Sequence, residues 1–219
     1  METALKFLKQ LSKNNEKSWF DANRKTYETA RQEYIDLIDE VIKGLKKSDP
    51  SIEEQTGKSC LFRINRDIRF SKDKSPYKTN FGASINAHGR SSMMPGYYVH
   101  CEPGKSFVGG GLYMAEPAMI KKIRQEIDYC FDEFQAILKA PAFKKSYGDL
   151  YAGEDVKLVR VPQGYDKDNP AAEYLKLKSW ILMRPVTDEE MRSPKAASML
   201  VKHLEAMQPL LKFLNKALE

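Results

Sequence analysis

The chain is poor in the residues that most often announce a chemistry. Its 219 residues hold only three cysteines and three histidines. Cys60, Cys101 and Cys130 are odd in number and form no CxxC pair, which argues against a disulfide framework and against a zinc ribbon. Reduced, buried thiols are the expectation. His88, His100 and His203 lie far apart, none at helical spacing from another histidine or a carboxylate, so no metal site is expected. There is no GxSxG elbow and no cysteine beside an obvious base. Gly57-Lys58-Ser59 does not complete a phosphate-binding loop, because Ile52 stands where that pattern needs glycine and a strand is expected to follow. Gly109-Gly110-Gly111 sits inside a strand pattern, where glycines mark a bulge or the close approach of a backbone or ligand. No cofactor is implied. No apolar run approaches the ~20 residues that span a bilayer, and the charged, amphipathic residues 1–15 do not read as a signal peptide. The expectation is a soluble, cytoplasmic protein with no membrane partner.

What is present is an ordinary globular composition, 42% hydrophobic and 30% charged, with a net charge of +6 that suits a polyanion, a phosphorylated small molecule, or simple solubility. Apolar stripes of helical period predict long helices at roughly 23–47, 116–138 and 194–216, with Pro209 expected to kink the last. A short helix capped by Thr3 is expected before them. Period-two alternation predicts strands at 58–70, 80–87, 156–161 and 179–183, and a hairpin of 97–102 with 105–113 across Pro103-Gly104. Strands clustered between helices predict an α+β fold, an antiparallel-rich sheet packed with amphipathic helices, in one domain over 1–219.

The densest feature is Arg63 to Lys78, with six basic side chains and two acidic ones. On an unbroken strand, Phe62, Ile64, Ile68 and Phe70 would share one face, and Arg63, Asn65, Asp67 and Arg69 the other. Arg66 would fall on the apolar face unless a bulge re-aims it. Guanidinium forks match carboxylate and phosphate oxygens, and lysines add point charges. Arg63, Arg66, Arg69, Lys72, Lys74 and Lys78 are therefore the candidate anion-binding set. Lys176, Lys178 and Arg184 around Trp180 are a second basic group. In the hairpin, Tyr98, His100 and Glu102 share the polar face, which makes His100 and Tyr98 candidates for proton transfer, or else members of a structural hydrogen-bonded pair.

The run from Arg63 to Lys78 resembles the signature of the family called domain of unknown function 2461. Phe7 to Leu11 with Asn14-Asn15 and Trp19-Phe20 agree with it, as do Pro95 to His100, Phe107 to Tyr113 and Gly164 to Asp168. The resemblance covers nearly the whole chain and implies a cytoplasmic, single-domain family with no assigned activity and no catalytic residues to carry over. Three functions stay open. One is a basic pocket for a phosphorylated or carboxylated small molecule, acting as an enzyme or not. Another is a nucleic-acid or protein-partner module on the same basic strand, with Tyr77 on backbone phosphates. The third is a set of arginines that serve only internal ion pairs. No oligomeric state is set.

Overall fold

The structure, a computed structural model, describes all of residues 1–219. It is an α+β fold, 48% helical, with one four-stranded antiparallel sheet. In chain order come α1 (Glu2–Leu11), α2 (Lys17–Ala22), α3 (Arg24–Leu45), a 3-10 turn (Pro50–Ile52) and α4 (Gly57–Cys60). Then follow β1 (Phe81–Ile85), β2 (Gly96–Cys101), β3 (Phe107–Leu112), α5 (Pro117–Tyr129), α6 (Phe131–Lys139) and α7 (Pro141–Tyr147). The chain closes with α8 (Ala172–Leu175), β4 (Trp180–Pro185), α9 (Asp188–Arg192) and α10 (Ala196–Leu218). The strands lie in the sheet in their chain order.

Two compact units emerge. The first comprises Met1–Ser91, Tyr98–Val108 and Pro185–Lys202. Its core forms where α1 packs along α3: Leu5, Leu8 and Leu11 of the one meet Tyr34, Ile38, Val41 and Leu45 of the other, all essentially sealed from water. Burying each such aliphatic side chain contributes about 1.5–3 kcal/mol. Tyr34 stacks on Phe81 at 5.5 Å and satisfies its hydroxyl by donating to the Val99 carbonyl at 2.7 Å, so a buried phenol ties α3 to β2. The second unit comprises Ser92–Tyr97, Gly109–Arg184 and His203–Glu219. Phe134 centres it, edge-on to Tyr174 at 5.2 Å and tilted on Phe213 at 5.3 Å.

Several sequence expectations need correction. The strand predicted over 58–70 is absent: α4 occupies its start, and only isolated bridges at Leu61 and Asn65 follow. The strand predicted over 156–161 reduces to one bridge, Lys157 to Leu177, with Val159 93% exposed and so no face to bury. The helix predicted at 116–138 breaks at Cys130, which leaves helical geometry at φ −113°, ψ 35°. Periodicity misses that break because the buried stripe of Ile123, Ile127, Phe134 and Leu138 stays in phase across it. α1 begins at Glu2, ahead of the expected Thr3 cap. α10, predicted over 194–216, spans Ala196–Leu218 with Pro209 inside it.

The glycine triplet of β3 is explained by backbone proximity and not by ligand access. A Cβ on Gly109 would strike the Leu182 carbonyl, and one on Gly111 the Trp180 carbonyl, both in β4. Gly109→Ala is therefore expected to cost about 3 kcal/mol, roughly 6–12 °C of melting temperature, in thermal denaturation followed by circular dichroism. A melting temperature within a degree of the parent would show that β3 and β4 can part to admit a methyl group.

Candidate functional site

The site grows from a distorted pairing in the first unit. Leu61 bridges Ala83, and the Phe62 amide donates to the Gly82 carbonyl at 2.9 Å. Farther along, Lys78 N–H donates to the Ile64 carbonyl at 2.8 Å and Arg66 N–H to Pro76 at 2.9 Å. Between these two registers, Arg63 alone faces Thr79, Asn80 and Phe81. This is a bulge larger than the usual two-against-one kind, and bulges re-aim side chains. Here it brings the Thr79 hydroxyl to 3.4 Å from a Glu102 oxygen and the Asn80 amide nitrogen to 3.5 Å from His100 Nδ1.

Beyond Arg66 the chain forms a loop stiffened by its own polar groups. Asp67 accepts from the Arg69 guanidinium twice, at Nε (2.9 Å) and Nη2 (2.7 Å), and also from the Arg69 amide. Asp73 accepts from the amide and hydroxyl of Ser75 and from Arg66. Those bonds, Ser75 first, hold the Asp73 carboxyl at about 2. Arg66 also donates to the Ser75 carbonyl (3.1 Å) and to Ser71 Oγ (3.3 Å), and Lys74 Nζ donates to the Ile68 carbonyl (3.0 Å). Three of the six predicted cations, Arg66, Arg69 and Lys74, are thus engaged by the loop itself.

The other three have no carboxylate. Arg63 and Lys72 are exposed and make no ion pair. Lys78 is half-buried, its ammonium 5.5 Å over the Phe62 ring. Burial, and then the positive charge of Arg63, pulls its pKa below the ordinary lysine value. Tyr77, expected on phosphates, is instead 6% exposed and stacked on Phe20 at 4.0 Å.

Alternation along β2 sets Tyr98, His100 and Glu102 on one face, as the sequence pattern predicts. Glu102 Oε2 lies 3.2 Å from His100 Nε2. A carboxylate only accepts, so Nε2 carries the proton and Nδ1 offers its lone pair. The Tyr98 hydroxyl, 3.3 Å from Nδ1, donates into it. Phe107 stacks on the imidazole at 4.7 Å and 15°, and a Cβ on Gly82 would occupy the space of the Tyr98 hydroxyl. Burial lifts the Tyr98 phenol to about 12. It also lowers the His100 pKa, which Glu102 only partly restores. The array is a hydrogen-bonded carboxylate–imidazole–phenol chain in which burial favours the neutral imidazole.

Sequence reasoning found this trio but missed Asn80, Phe62, Phe107 and Gly82, whose roles depend on the bulge and on cross-strand neighbours. Gly57-Lys58-Ser59 opens a helix after all, but Asp39 accepts the Gly57 amide at 2.6 Å and Thr56 caps the turn, so its donors are spent within the protein. In the second unit, Lys176 is paired with Glu173 at 2.6 Å. His203 is buried, with Nδ1 3.0 Å from Ser146 Oγ. No group of three His, Cys, Asp or Glu side chains is arranged to hold a metal.

A family model described as conserved hypothetical protein DUF2461 matches residues 3–213. The chain belongs to the DUF2461 family. No curated protein and no solved structure matches it. In this DUF2461 chain residues Arg63 to Lys78 form the self-braced loop and its two bridged ends.

The depressed His100 pKa has a measurable sign. The unfolded histidine protonates below its ordinary value near 6.5 while the folded one stays neutral, so the unfolded state binds more protons. Stability from His100 is present above that value and lost as pH falls below it toward the folded pKa. An NMR titration should find the His100 pKa below that of an exposed histidine and lower still in Glu102→Gln. An unchanged value in the variant would mean that the carboxylate does not engage the ring in solution.

Proposed function

We propose that this DUF2461 protein binds the anionic group of a small molecule, a phosphate or a carboxylate, between Arg63 and Lys78, with the Tyr98–His100–Glu102 relay beside it. One observation carries the reading: Lys78 is half-buried, its ammonium 5.5 Å over the Phe62 ring, and no carboxylate pairs with it. Burying an unpaired charge is costly, and the positive charge of Arg63 adds to the cost, so the arrangement favours an incoming anion. Phe62 links the halves, under the Lys78 ammonium on one side and 6.5 Å from Tyr98 on the other. The bulge residues next to Lys78, Thr79 and Asn80, reach Glu102 and His100.

Within this reading the relay equips the site for general acid–base chemistry. Neutral His100 takes a proton at Nδ1 through the Tyr98 hydroxyl, and Glu102 stabilises the imidazolium that results. Free Cys60, Cys101 and Cys130 fit a reducing compartment, and we place the protein in the cytoplasm on that ground.

The test is a thermal-shift comparison of the parent with Lys78→Met, which keeps the apolar stem over Phe62. Inorganic phosphate or a dicarboxylate at a hundred times its dissociation constant should stabilise the parent by about 2.7 kcal/mol, roughly 5–11 °C. Without added anion, Lys78→Met should melt above the parent, and it should lose the anion-induced shift. A variant that melts below the parent, with neither protein responding to anions, would identify Lys78 as purely structural.

A further inference from the structure

We propose that the molecule held by Lys78 is a small aromatic acid with a hydroxyl group on the far side of its ring. Its acid group meets the Lys78 ammonium, its ring lies against Phe62 and Tyr98, and its hydroxyl reaches the Tyr98 oxygen. This deepens the anion-binding reading above and rests on it. A continuous line of contacts carries it. Along β2, Val99 and Cys101 are sealed from water, whereas the alternate residues Tyr98 and His100 are half-buried. Beside that second face the Lys78 ammonium stands 5.5 Å from the Phe62 ring, and Phe62 stands 6.5 Å from Tyr98. Tyr98 in turn lies 5.6 Å from the Phe107 ring, with its hydroxyl 3.3 Å from His100 Nδ1. The width of one phenyl ring thus separates the cation from the phenol.

The chemistry of that line narrows the ligand. Phe62 and Phe107 incline to Tyr98 by 53° and 43°, so the rings form a corner and not a stack. Ring faces and ring edges are presented together, which is how aromatic groups pack on one another. The Tyr98 hydroxyl donates to His100 Nδ1, so its oxygen keeps lone pairs that can accept from a hydroxyl. A bare anion would meet Lys78 and leave the aromatic wall wet. An aliphatic acid is the competing occupant. It fits less well, because it gains nothing from tilted ring faces or from the phenol oxygen. A macromolecule fits worse still: Phe62, Lys78, Tyr98, His100 and Phe107 are all half-buried and none stands out from the surface.

The test is calorimetric titration of 4-hydroxyphenylacetate, phenylacetate, cyclohexylacetate and acetate into the parent, Tyr98→Phe, Phe62→Leu and Lys78→Met. Each preference is a ratio of two ligands on one protein, so a change in the variant's stability does not enter it. The parent should prefer 4-hydroxyphenylacetate to phenylacetate roughly 2- to 13-fold, the range for one neutral hydrogen bond. It should prefer phenylacetate to cyclohexylacetate by a similar factor, the range for one aromatic pair. Tyr98→Phe should lose the first preference and keep the second. Phe62→Leu should lose the second, and Lys78→Met should bind none of the four. If acetate binds the parent but not Lys78→Met, and the ring-bearing acids bind no more tightly than acetate, the anion reading stands and this proposal falls. If cyclohexylacetate matches phenylacetate while both exceed acetate, the occupant is aliphatic and the proposal is overturned. A preference for the hydroxylated acid that survives in Tyr98→Phe would overturn it as well. If no acid binds any of the proteins, both readings fall.

Discussion

The clasp between Asn15 and Tyr77 is the constraint on which the site depends. The Asn15 side chain donates to the Tyr77 carbonyl at 2.9 Å and accepts from the Tyr77 amide at 3.1 Å, across 62 residues of sequence. On its other edge Tyr77 bridges Asn65. In that pairing the backbone bonds belong to the flanking residues, so the Tyr77 N–H and C=O point away from Asn65 and need another partner. One primary amide supplies both, in place of a third strand. The Tyr77 ring, stacked on Phe20, pins the same point to the helical core. The Tyr77 end of the cationic loop is thereby fixed to α2 and to the α1–α2 connection, while the segment before Arg63 pairs with β1.

From that anchorage the loop needs little from the core. Its charges divide into two populations with opposite uses. Arg66, Arg69 and Lys74 are met by Asp67, Asp73 and backbone carbonyls, and they give the loop its shape. Arg63, Lys72 and Lys78 form no ion pair with a carboxylate, and on the proposed reading they are the ones left for an anion. An exposed ion pair is individually worth about 0–1 kcal/mol, so the shape comes from the concerted set and not from any one bond. The relay on β2 is built the opposite way, from few contacts in a drier place, where desolvation decides which groups stay neutral.

Much of this was legible in the sequence, for identifiable reasons. α3 and α10 follow from stripes of period 3.6, and the hairpin of β2 and β3 from alternation on either side of Pro103-Gly104. The same alternation put Tyr98, His100 and Glu102 on one face. It misled at 58–70. Ile64 is buried as an inward strand residue should be, yet Phe70, in phase with it, is 94% exposed. Asp67 and Asp73 offered the backbone and nearby hydroxyls local partners that competed successfully with a ladder, as short polar side chains do. The bulge opposite Arg63 has no sequence mark, because it arises from two registers that disagree, and registers are properties of pairs of strands. For the same reason Asn80 and Gly82 could not be read as parts of the relay's surroundings.

A loop braced by its own ion pairs responds to its medium in a way that a loop braced by apolar packing does not. Near 0.15 M salt the Debye length is about 8 Å, and near 1 M it is about 3 Å, comparable with the span of a single exposed pair. On the proposed reading, added electrolyte therefore works on the binding loop as well as on the encounter. It shields Arg63, Lys72 and Lys78 from an approaching anion, and it loosens the Arg69–Asp67 and Arg66–Asp73 pairs that hold the loop in shape. Affinity should then decline with electrolyte more steeply than the number of contacts to the ligand alone would imply, and the excess would measure how much of the receptor is itself made of charge.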